Sequence, residues 1–460
     1  MKNNLDCLLV NPPYYYSHYP YLGLCRLAAS LQQNNIKVSI LDSAVEGFRI
    51  KDIIKYVVDK KPKIIGISIM SVTLHFCYCL IQELKDDYPE GVIVVGGAHI
   101  NADPDILVPM GVKYGFRGEC DVVFAEFCQQ ILAGKISYDL EGLIVNEDGN
   151  LIVNDPPIIE DLNTLPMPAY DLLPLDKYFS PNTNMQTISI ITSSGCPYDC
   201  IYCSKLMKIR YRYLDTKVIL DQLDILINTY GAGWIEFVDE IFSLRKNNIM
   251  ELCEGIKQKG LKFSWGIQTR ADRVDEELIR TMRAAGCEKI GFGVETGSER
   301  IRFLGHKNIT NQQYKDAVKL CRKHEIKSMA HYIFGHYSET VAEMQETVSF
   351  AMELNTDIVH FNKMIPIPNS ELFEKAKAEG TVKPDIWTSY MLGEIACPIY
   401  YPNGVTEKEV DKIYKLAWLK SHLSLKAITL NLWMLKKPRI LYKSIKAFFT
   451  IIFGKRYERW

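Results

Sequence analysis

The sequence predicts an α/β protein: a doubly wound parallel sheet first, then six further β/α units, then a mostly helical end. Three observations carry this reading. Through about residue 135, short apolar runs bounded by Gly and Pro alternate with helical patterns, as expected of strands buried on both faces. A stretch holding Pro156, Pro157, Pro166, Pro168, Pro174 and Pro181 then breaks the alternation. A second alternating series opens at Thr187 and runs to about Ala378. The expected segments are therefore 1–136, 137–186, 187–380 and 381–460.

In the first segment the strands are expected at Asp6–Asn11, Lys37–Asp42, Ile64–Met70, Gly91–Gly97 and Lys113–Gly118. Helical patterns fill Tyr21–Asn34, Lys51–Asp59, Thr73–Asp87, Asp103–Val108 and Phe124–Ala133. Ligands of doubly wound sheets sit at the carboxyl ends of the strands. Those ends read Asn11-Pro12-Pro13, Ser68-Ile69-Met70-Ser71, Gly96-Gly97-Ala98-His99 and Gly118-Glu119. The proline-dense segment reads as an ordered connector, with a hairpin over Gly142–Val153 that turns at Asp148-Gly149. In the second series the strands are expected at Thr187–Thr192, Trp234–Val238, Lys262–Gln268, Lys289–Glu295, Lys327–Gly335 and Asp357–Pro366. Six units are two short of a closed eightfold barrel, which leaves an open side where a large substrate or a second domain can enter.

Composition excludes several classes. With 47% hydrophobic and 24% charged residues in 460, the chain is an ordinary folding sequence. A net charge of −1 gives no case for nucleic-acid binding. The first six residues are polar, no secretory signal opens the chain, and no run reaches the 18 or so apolar residues that span a bilayer. The 13 cysteines are odd in number and irregularly spread, unlike a secreted disulfide framework. A cytoplasmic address is expected, where clustered cysteines more often bind metal.

The strongest chemical signal is Ser194-Gly195-Cys196-Pro197-Tyr198-Asp199-Cys200-Ile201-Tyr202-Cys203, at the carboxyl end of the first strand of the second series. Four thiolates would saturate an iron–sulfur cube, whereas three leave one iron open to another ligand. Zinc is the rival, but a structural zinc takes four ligands and no fourth Cys or His lies nearby. This segment resembles the cluster-binding loop of radical S-adenosylmethionine enzymes, and six β/α units match their partial barrel. Phe237-Val238-Asp239-Glu240-Ile241-Phe242, Gly293-Val294-Glu295-Thr296-Gly297-Ser298 and Ile333-Phe334-Gly335 extend the resemblance. It implies a 4Fe–4S cluster on Cys196, Cys200 and Cys203 whose open iron chelates S-adenosylmethionine, and a 5′-deoxyadenosyl radical as the reactive species. It further implies cofactor contacts from Tyr202, Asp239, Glu240, Gln268, Arg270 and Glu295. Asp239 and Glu240 would meet the methionine moiety, Arg270 its carboxylate, and Glu295 the ribose.

The first segment resembles the cobalamin-binding domain often fused to that barrel. The matching pieces are Pro20-Tyr21-Leu22-Gly23-Leu24, Gly66-Ile67-Ser68, Val94-Val95-Gly96-Gly97-Ala98-His99 and Arg117-Gly118-Glu119. Cobalamin contacts implied by the resemblance are Tyr21, Leu22, Gly23, Ser68, Ser71, Gly96, Gly97, His99, Gly118 and Glu119. Small residues at strand ends let the backbone approach a flat ligand closely. No DxHxxG is present, so a histidine ligand to cobalt is not expected. A dinucleotide site is the rival, but no GxGxxG follows the first strand. The usual acidic ending reads Gly118-Glu119-Cys120-Asp121, and Pro366-Ile367-Pro368-Asn369-Ser370 stands where relatives have Pro-x-Pro-Gly-Thr. The single Cys397 cannot hold a second cluster.

Together these two resemblances imply a methyltransferase acting on an unactivated carbon or phosphorus centre. Methylcobalamin would donate the methyl group, and two S-adenosylmethionine molecules would be consumed per turnover. The same domain order serves ring-forming and rearranging enzymes, which is the second reading. A cobalamin-binding sensor is the alternative of another class; it would need no open-iron loop, and no DNA-binding motif accompanies the sheet. The implied partners are a small-molecule substrate and an external one-electron donor of the flavodoxin or ferredoxin type. The end of the chain adds one more expectation. Residues 420–460 carry ten bases and one acid, net +9, against 44 bases and 54 acids, net −10, before them. Tyr442, Ile445, Phe448, Phe449 and Ile452 recur there at helical spacing. A basic amphipathic helix suits an anionic membrane surface, which points to peripheral contact and to a lipid or isoprenoid substrate; a helical cap over the barrel is the alternative.

Overall fold

A computed structural model describes residues 5–13, 19–180, 185–204 and 210–422. The first sheet holds β1 (Cys7–Asn11), β2 (Val38–Asp42), β3 (Ile64–Ser68), β4 (Val92–Gly96), β5 (Tyr114–Phe116), β6 (Leu143–Glu147) and β7 (Asn150–Val153) in the order β2-β1-β3-β4-β5-β6-β7. β1 to β5 are parallel. Every residue of β1 and β3 is buried, because helices cover both faces and leave no polar side for the strands to alternate toward. The strand order reverses direction at β1, which opens a crevice above the carboxyl ends of β1 and β3.

The hairpin sits differently from its expected place in a connector. β6 pairs antiparallel with β5, and β7 with β6, so residues 143–153 extend the first sheet rather than bridge to the second. The reason is an edge: β5 would otherwise expose its backbone groups, and Leu143, Ile144 and Val145 are buried on covering it.

The second sheet contains β8 (Thr187–Ile190), β11 (Trp234–Phe237), β12 (Ser264–Thr269), β13 (Cys287–Glu295), β14 (Lys327–Phe334) and β15 (Ile358–Lys363), all parallel and in chain order. Between β8 and β11 a two-residue ladder joins β9 (Ser193–Ser194) to β10 (Arg212–Tyr213). The convex face buries Ile235, Phe237, Trp265, Ile267, Ile290 and Phe292 against the surrounding helices, and Cys253, Cys287 and Cys321 fill that core as expected. The concave face is polar. Lys289 reaches Glu236 at 2.8 Å across β12, and His331 and His360 lie side by side with ring centres 5.0 Å apart.

The C-terminal part closes the far side of the first sheet. The Trp387 ring packs 5.1 Å from His99, His75 Nδ1 lies 2.9 Å from the Met391 carbonyl, and the Tyr390 hydroxyl donates to the Val72 carbonyl at 2.7 Å. The last described helix is Glu407–His422; the rest of the basic segment lies outside the described residues. Among the described residues no helix is long and apolar enough to cross a membrane.

Candidate functional site

The three-cysteine loop leaves β9 through Gly195, whose φ of +92° turns the chain where a side chain would be strained. The Cys203 amide donates to the Cys200 carbonyl at 3.1 Å, which curls the loop. Ile201 stitches it to the barrel: its amide donates to Gly305 O at 3.3 Å and its carbonyl accepts from Leu372 N at 2.8 Å. Tyr198 is held from the other side, its ring stacked 3.7 Å beneath the Arg270 guanidinium and its oxygen 2.6 Å from Arg273 Nε. Burial raises the thiols of Cys196 and Cys203, the latter to about 11, and the nearby Cys200 adds to both. Three thiolates so crowded repel one another until a cation joins them, so this donor set fits an iron–sulfur cluster.

Around this loop the expected cofactor contacts divide. Glu240 is left unsatisfied: burial lifts its carboxyl to about 7, and Oε2 is buried without a hydrogen-bond partner. Glu295 lies at the β13 bulge in a left-handed conformation, φ +68°, a strain of the kind found at ligand-binding positions. Lys307 pairs with its Oε1 at 2.7 Å; burial raises this carboxyl, but Lys307 outweighs it and the group titrates below its usual range. Gln268 is exposed on the concave face, and Tyr202 sets its ring edge-on to His336, centres 5.4 Å apart.

Two expected contacts are engaged within the chain, Asp239 through one of its two oxygens and Arg270 through its guanidinium fork. Asp239 turns its Oδ1 to Thr192 N at 3.0 Å, Thr192 Oγ1 at 2.8 Å and the Ser193 hydroxyl, so it fastens the bend between β8 and β9. Arg270 forks onto Asp272 at 2.9 and 3.0 Å and stacks on Tyr198. Its charge therefore supports the cysteine loop instead of reaching for a carboxylate on the cofactor.

A cavity of about 250 Å³ opens at the carboxyl ends of β1, β3, β4 and β5. Of the residues expected to contact cobalamin, Tyr21, Gly23, Ser68, Gly96, Gly97, Gly118 and Glu119 line it. Leu22, Ser71 and His99 do not. Leu22 faces the connector, while His99 is fully buried on the opposite side, with Nδ1 2.9 Å from Ser71 Oγ and burial holding it neutral down to a pKa of about 3. No histidine is among the described residues lining the cavity. A Cβ on Gly96 would find its nearest neighbour at 3.7 Å, whereas one on Gly97 would lie 2.8 Å from Ile69 N and O. Gly96 thus leaves room for a ligand, and Gly97 lets two backbone segments touch. A slot of this size is below the roughly 300–1,000 Å³ of whole-ligand pockets and fits one flat, slender part of a larger molecule, such as the nucleotide tail of cobalamin.

Comparison with known proteins agrees with both halves. Residues 190–351 match the radical SAM superfamily, and residues 14–127 match the B12 binding domain. An uncharacterized methyltransferase of Pyrococcus horikoshii is 30% identical over 434 residues, covering 93% of this chain and 90% of its own. The chain belongs to the cobalamin-binding radical S-adenosylmethionine family. Within it, the anaerobic magnesium-protoporphyrin IX monomethyl ester cyclase of Rubrivivax gelatinosus is 27% identical over 68% of this chain and 58% of the cyclase. The solved radical S-adenosylmethionine methyltransferase of Kitasatospora setae, a structure with cobalamin and a 4Fe–4S cluster bound, shares the fold with a TM-score of 0.69 at 19% identity, covering 82% of this chain and 76% of its own.

For this family member the sequence reading missed two groups. Lys307 lies in a loop and Arg212 in the short strand β10, and nothing local marks them as partners of Glu295 and Glu119. Their partners lie 12 and 93 positions away, and only the three-dimensional register brings them together.

Proposed function

We propose that the protein methylates a small-molecule substrate at an unactivated carbon or phosphorus centre, with Cys196, Cys200 and Cys203 holding a 4Fe–4S cluster and the glycine-lined cavity holding cobalamin. When bound, the cluster with S-adenosylmethionine supplies a 5′-deoxyadenosyl radical, and cobalamin carries the methyl group. The observation that carries this reading is the reach of one side chain. Glu119 lines the cavity and also accepts from Ser194 Oγ at 2.8 Å, two residues before Cys196. A methyl donor and a radical source must serve one substrate atom, and one carboxylate spanning from the cavity wall to the root of the cysteine loop supports that pairing.

Glu240 accepts from the ammonium of S-adenosylmethionine, and Glu295, held by Lys307, accepts from its ribose. Gln268, His331 and His360 present donors and acceptors along the concave face, where partial desolvation and the nearby Lys289 hold both imidazoles below their usual range. Such a lining suits a polar substrate better than a lipid or isoprenoid. Electrons come from an external one-electron donor of the flavodoxin or ferredoxin type. The net +9 of residues 420–460 supports salt-sensitive contact with an anionic leaflet at the inner face of the membrane.

Ring formation is the second reading, supported by the cyclase relative; methylation is favoured by the relative that matches nearly end to end. The test is anaerobic turnover with methyl-labelled S-adenosylmethionine, cobalamin, a low-potential reductant and a metabolite extract. S-adenosylhomocysteine and 5′-deoxyadenosine in about equal amounts, with label in a small molecule, is the expected result. 5′-Deoxyadenosine without S-adenosylhomocysteine would reject methylation in favour of cyclisation or rearrangement.

A further inference from the structure

Glu119 makes contacts that a cavity wall does not require. Its Oε2 accepts from Arg212 Nη1 at 2.6 Å and from Ile159 N at 2.8 Å. Its Oε1 accepts from Arg212 Nη2 at 2.8 Å and from Ser194 Oγ at 2.8 Å. Arg212 in turn donates to Ser194 Oγ at 3.1 Å and to the Ile159 carbonyl. Both side chains are nearly buried, with Arg212 at 6% and Glu119 at 13% exposure.

The two residues this carboxylate grips, Ser194 and Arg212, are cross-strand partners in the β9–β10 ladder. That ladder closes the base of the cysteine loop and contains only two residue pairs. A two-stranded piece so short has little stability of its own, so its geometry depends on what clamps it. The clamp is anchored on the cavity side. Gly118 takes φ +87°, its amide donates to Asn101 Oδ1 at 3.0 Å, and the Glu119 amide donates to Pro157 O at 3.1 Å. Cys120 and Asp121, the next two residues, also line the cavity.

We propose that Glu119 is a positioning residue that couples occupancy of the cavity to the order of the cysteine loop. The coupling rests on the cavity being the cobalamin site. A ligand that packs against residues 118–121 restrains the Glu119 backbone, and the bidentate pair with Arg212 passes that restraint to both strands of the ladder. Cofactor binding and loop closure then favour each other by the same factor in either direction, as linkage demands.

The experiment uses the full chain and hydroxocobalamin. Amide hydrogen exchange at residues 193, 194, 212 and 213 is measured in wild-type protein with and without it, and its affinity is measured with and without the iron–sulfur cluster. Expected are slower exchange at the ladder when cobalamin is bound and about tenfold tighter binding to the cluster-loaded form. In Glu119→Gln, and in Glu119→Gln/Arg212→Met, which removes the stranded charge as well, the affinity ratio falls to about one, whatever absolute affinity the altered cavity wall leaves. Retention of hydroxocobalamin with unchanged exchange at the ladder in the wild type would overturn the coupling alone. So would a ratio that survives in either variant. Failure of the wild type to retain hydroxocobalamin at all would overturn the cofactor assignment and the coupling with it.

Discussion

The cavity on the first sheet is lined by glycines and aliphatic side chains, and the polar groups at its wall are already paired: Arg26 with Asp121 at 2.9 Å, Tyr21 with Ser68 at 3.2 Å, Glu119 with Arg212 at 2.6 Å. The rim of the second sheet holds the reverse. Ser204 Oγ, Asp239 Oδ2, Glu240 Oε2, His331 Nε2 and His336 Nε2 are each buried without a hydrogen-bond partner. Each such atom costs about 1–3 kcal/mol, and a fold bears that cost where a ligand later satisfies it. The first region recognises by shape, through the absence of side chains. The second recognises by charge and chelation. Substitutions should therefore fail in different ways: in the first by filling space, in the second by removing a donor atom.

The largest expected effect tests that separation directly. Replacing Cys196, Cys200 and Cys203 together with Ala should abolish iron binding, about four irons per chain on the cluster assignment, and with it all cleavage of S-adenosylmethionine. Hydroxocobalamin should still be retained, though more weakly. Iron analysis and gel filtration of one preparation read both. Loss of cobalamin retention along with iron would mean that the two regions do not fold independently of their cofactors.

The converse substitution is Gly96→Leu. Its Cβ meets nothing closer than Phe116 O at 3.7 Å, so the side chain enters the cavity without moving backbone. Cobalamin affinity should fall more than tenfold while all the iron stays. Gly97→Ala is the control for confusion of the two: with φ +95° and a Cβ 2.8 Å from Ile69 N and O, it should destabilise the whole chain by about 1–3 kcal/mol. If Gly96→Leu behaves like Gly97→Ala in thermal unfolding, the cavity is structural rather than a binding slot.

The comparison also explains what could be read from sequence. The strands of both sheets were legible, because apolar runs between Gly and Pro mark buried parallel strands wherever they occur. The cysteines were legible because one loop carries them all. Which side of the first sheet a strand-end residue faces was not: with both faces buried, no alternation shows whether His99 or Ser68 points into the crevice, and His99 points away. Nor were pairs joined by tertiary register. Glu119 meets Arg212 across 93 positions, and Lys307 meets Glu295 across 12 positions that include the helix Glu299–Leu304. Arg270 was a base at a strand end like any other until Asp272 and Tyr198 were seen to hold it. Motifs close in sequence survive the passage to structure, whereas the partners of single charges do not.

A smaller effect sharpens the claim that the second region bears unsatisfied polar groups for its ligand. Burial raises Glu240 to about 7, above the 4.5 of the free side chain. An acid whose folded pKa is raised is penalised once it ionises, so its cost to stability appears as pH climbs past about 4.5 and is complete above about 7. Glu240→Gln removes that cost. The variant should be more stable than wild type by about 1–3 kcal/mol at pH 8 and equal to it at pH 4, while binding S-adenosylmethionine more weakly. Denaturant titrations of cluster-free protein at the two pH values check the sign. A variant less stable at pH 8 would show that Glu240 is held by partners and is not reserved for a ligand.

The smallest effect lies one residue away from a large one. Ile267 and Gln268 are neighbours on β12, and successive strand residues face opposite sides. Ile267 is fully buried against the helices, while Gln268 is exposed on the concave face. Ile267→Ala should cost about 2–5 kcal/mol, the usual loss for emptying a buried aliphatic position. Gln268→Ala should change stability by less than about 0.5 kcal/mol, as open polar positions do, and should leave iron and cobalamin contents unchanged. Any loss of product formation in Gln268→Ala would then belong to ligand handling on the concave face. If unfolding shows Gln268→Ala to be as costly as Ile267→Ala, the concave face is packed core, and the open lumen on which the substrate reading depends does not exist.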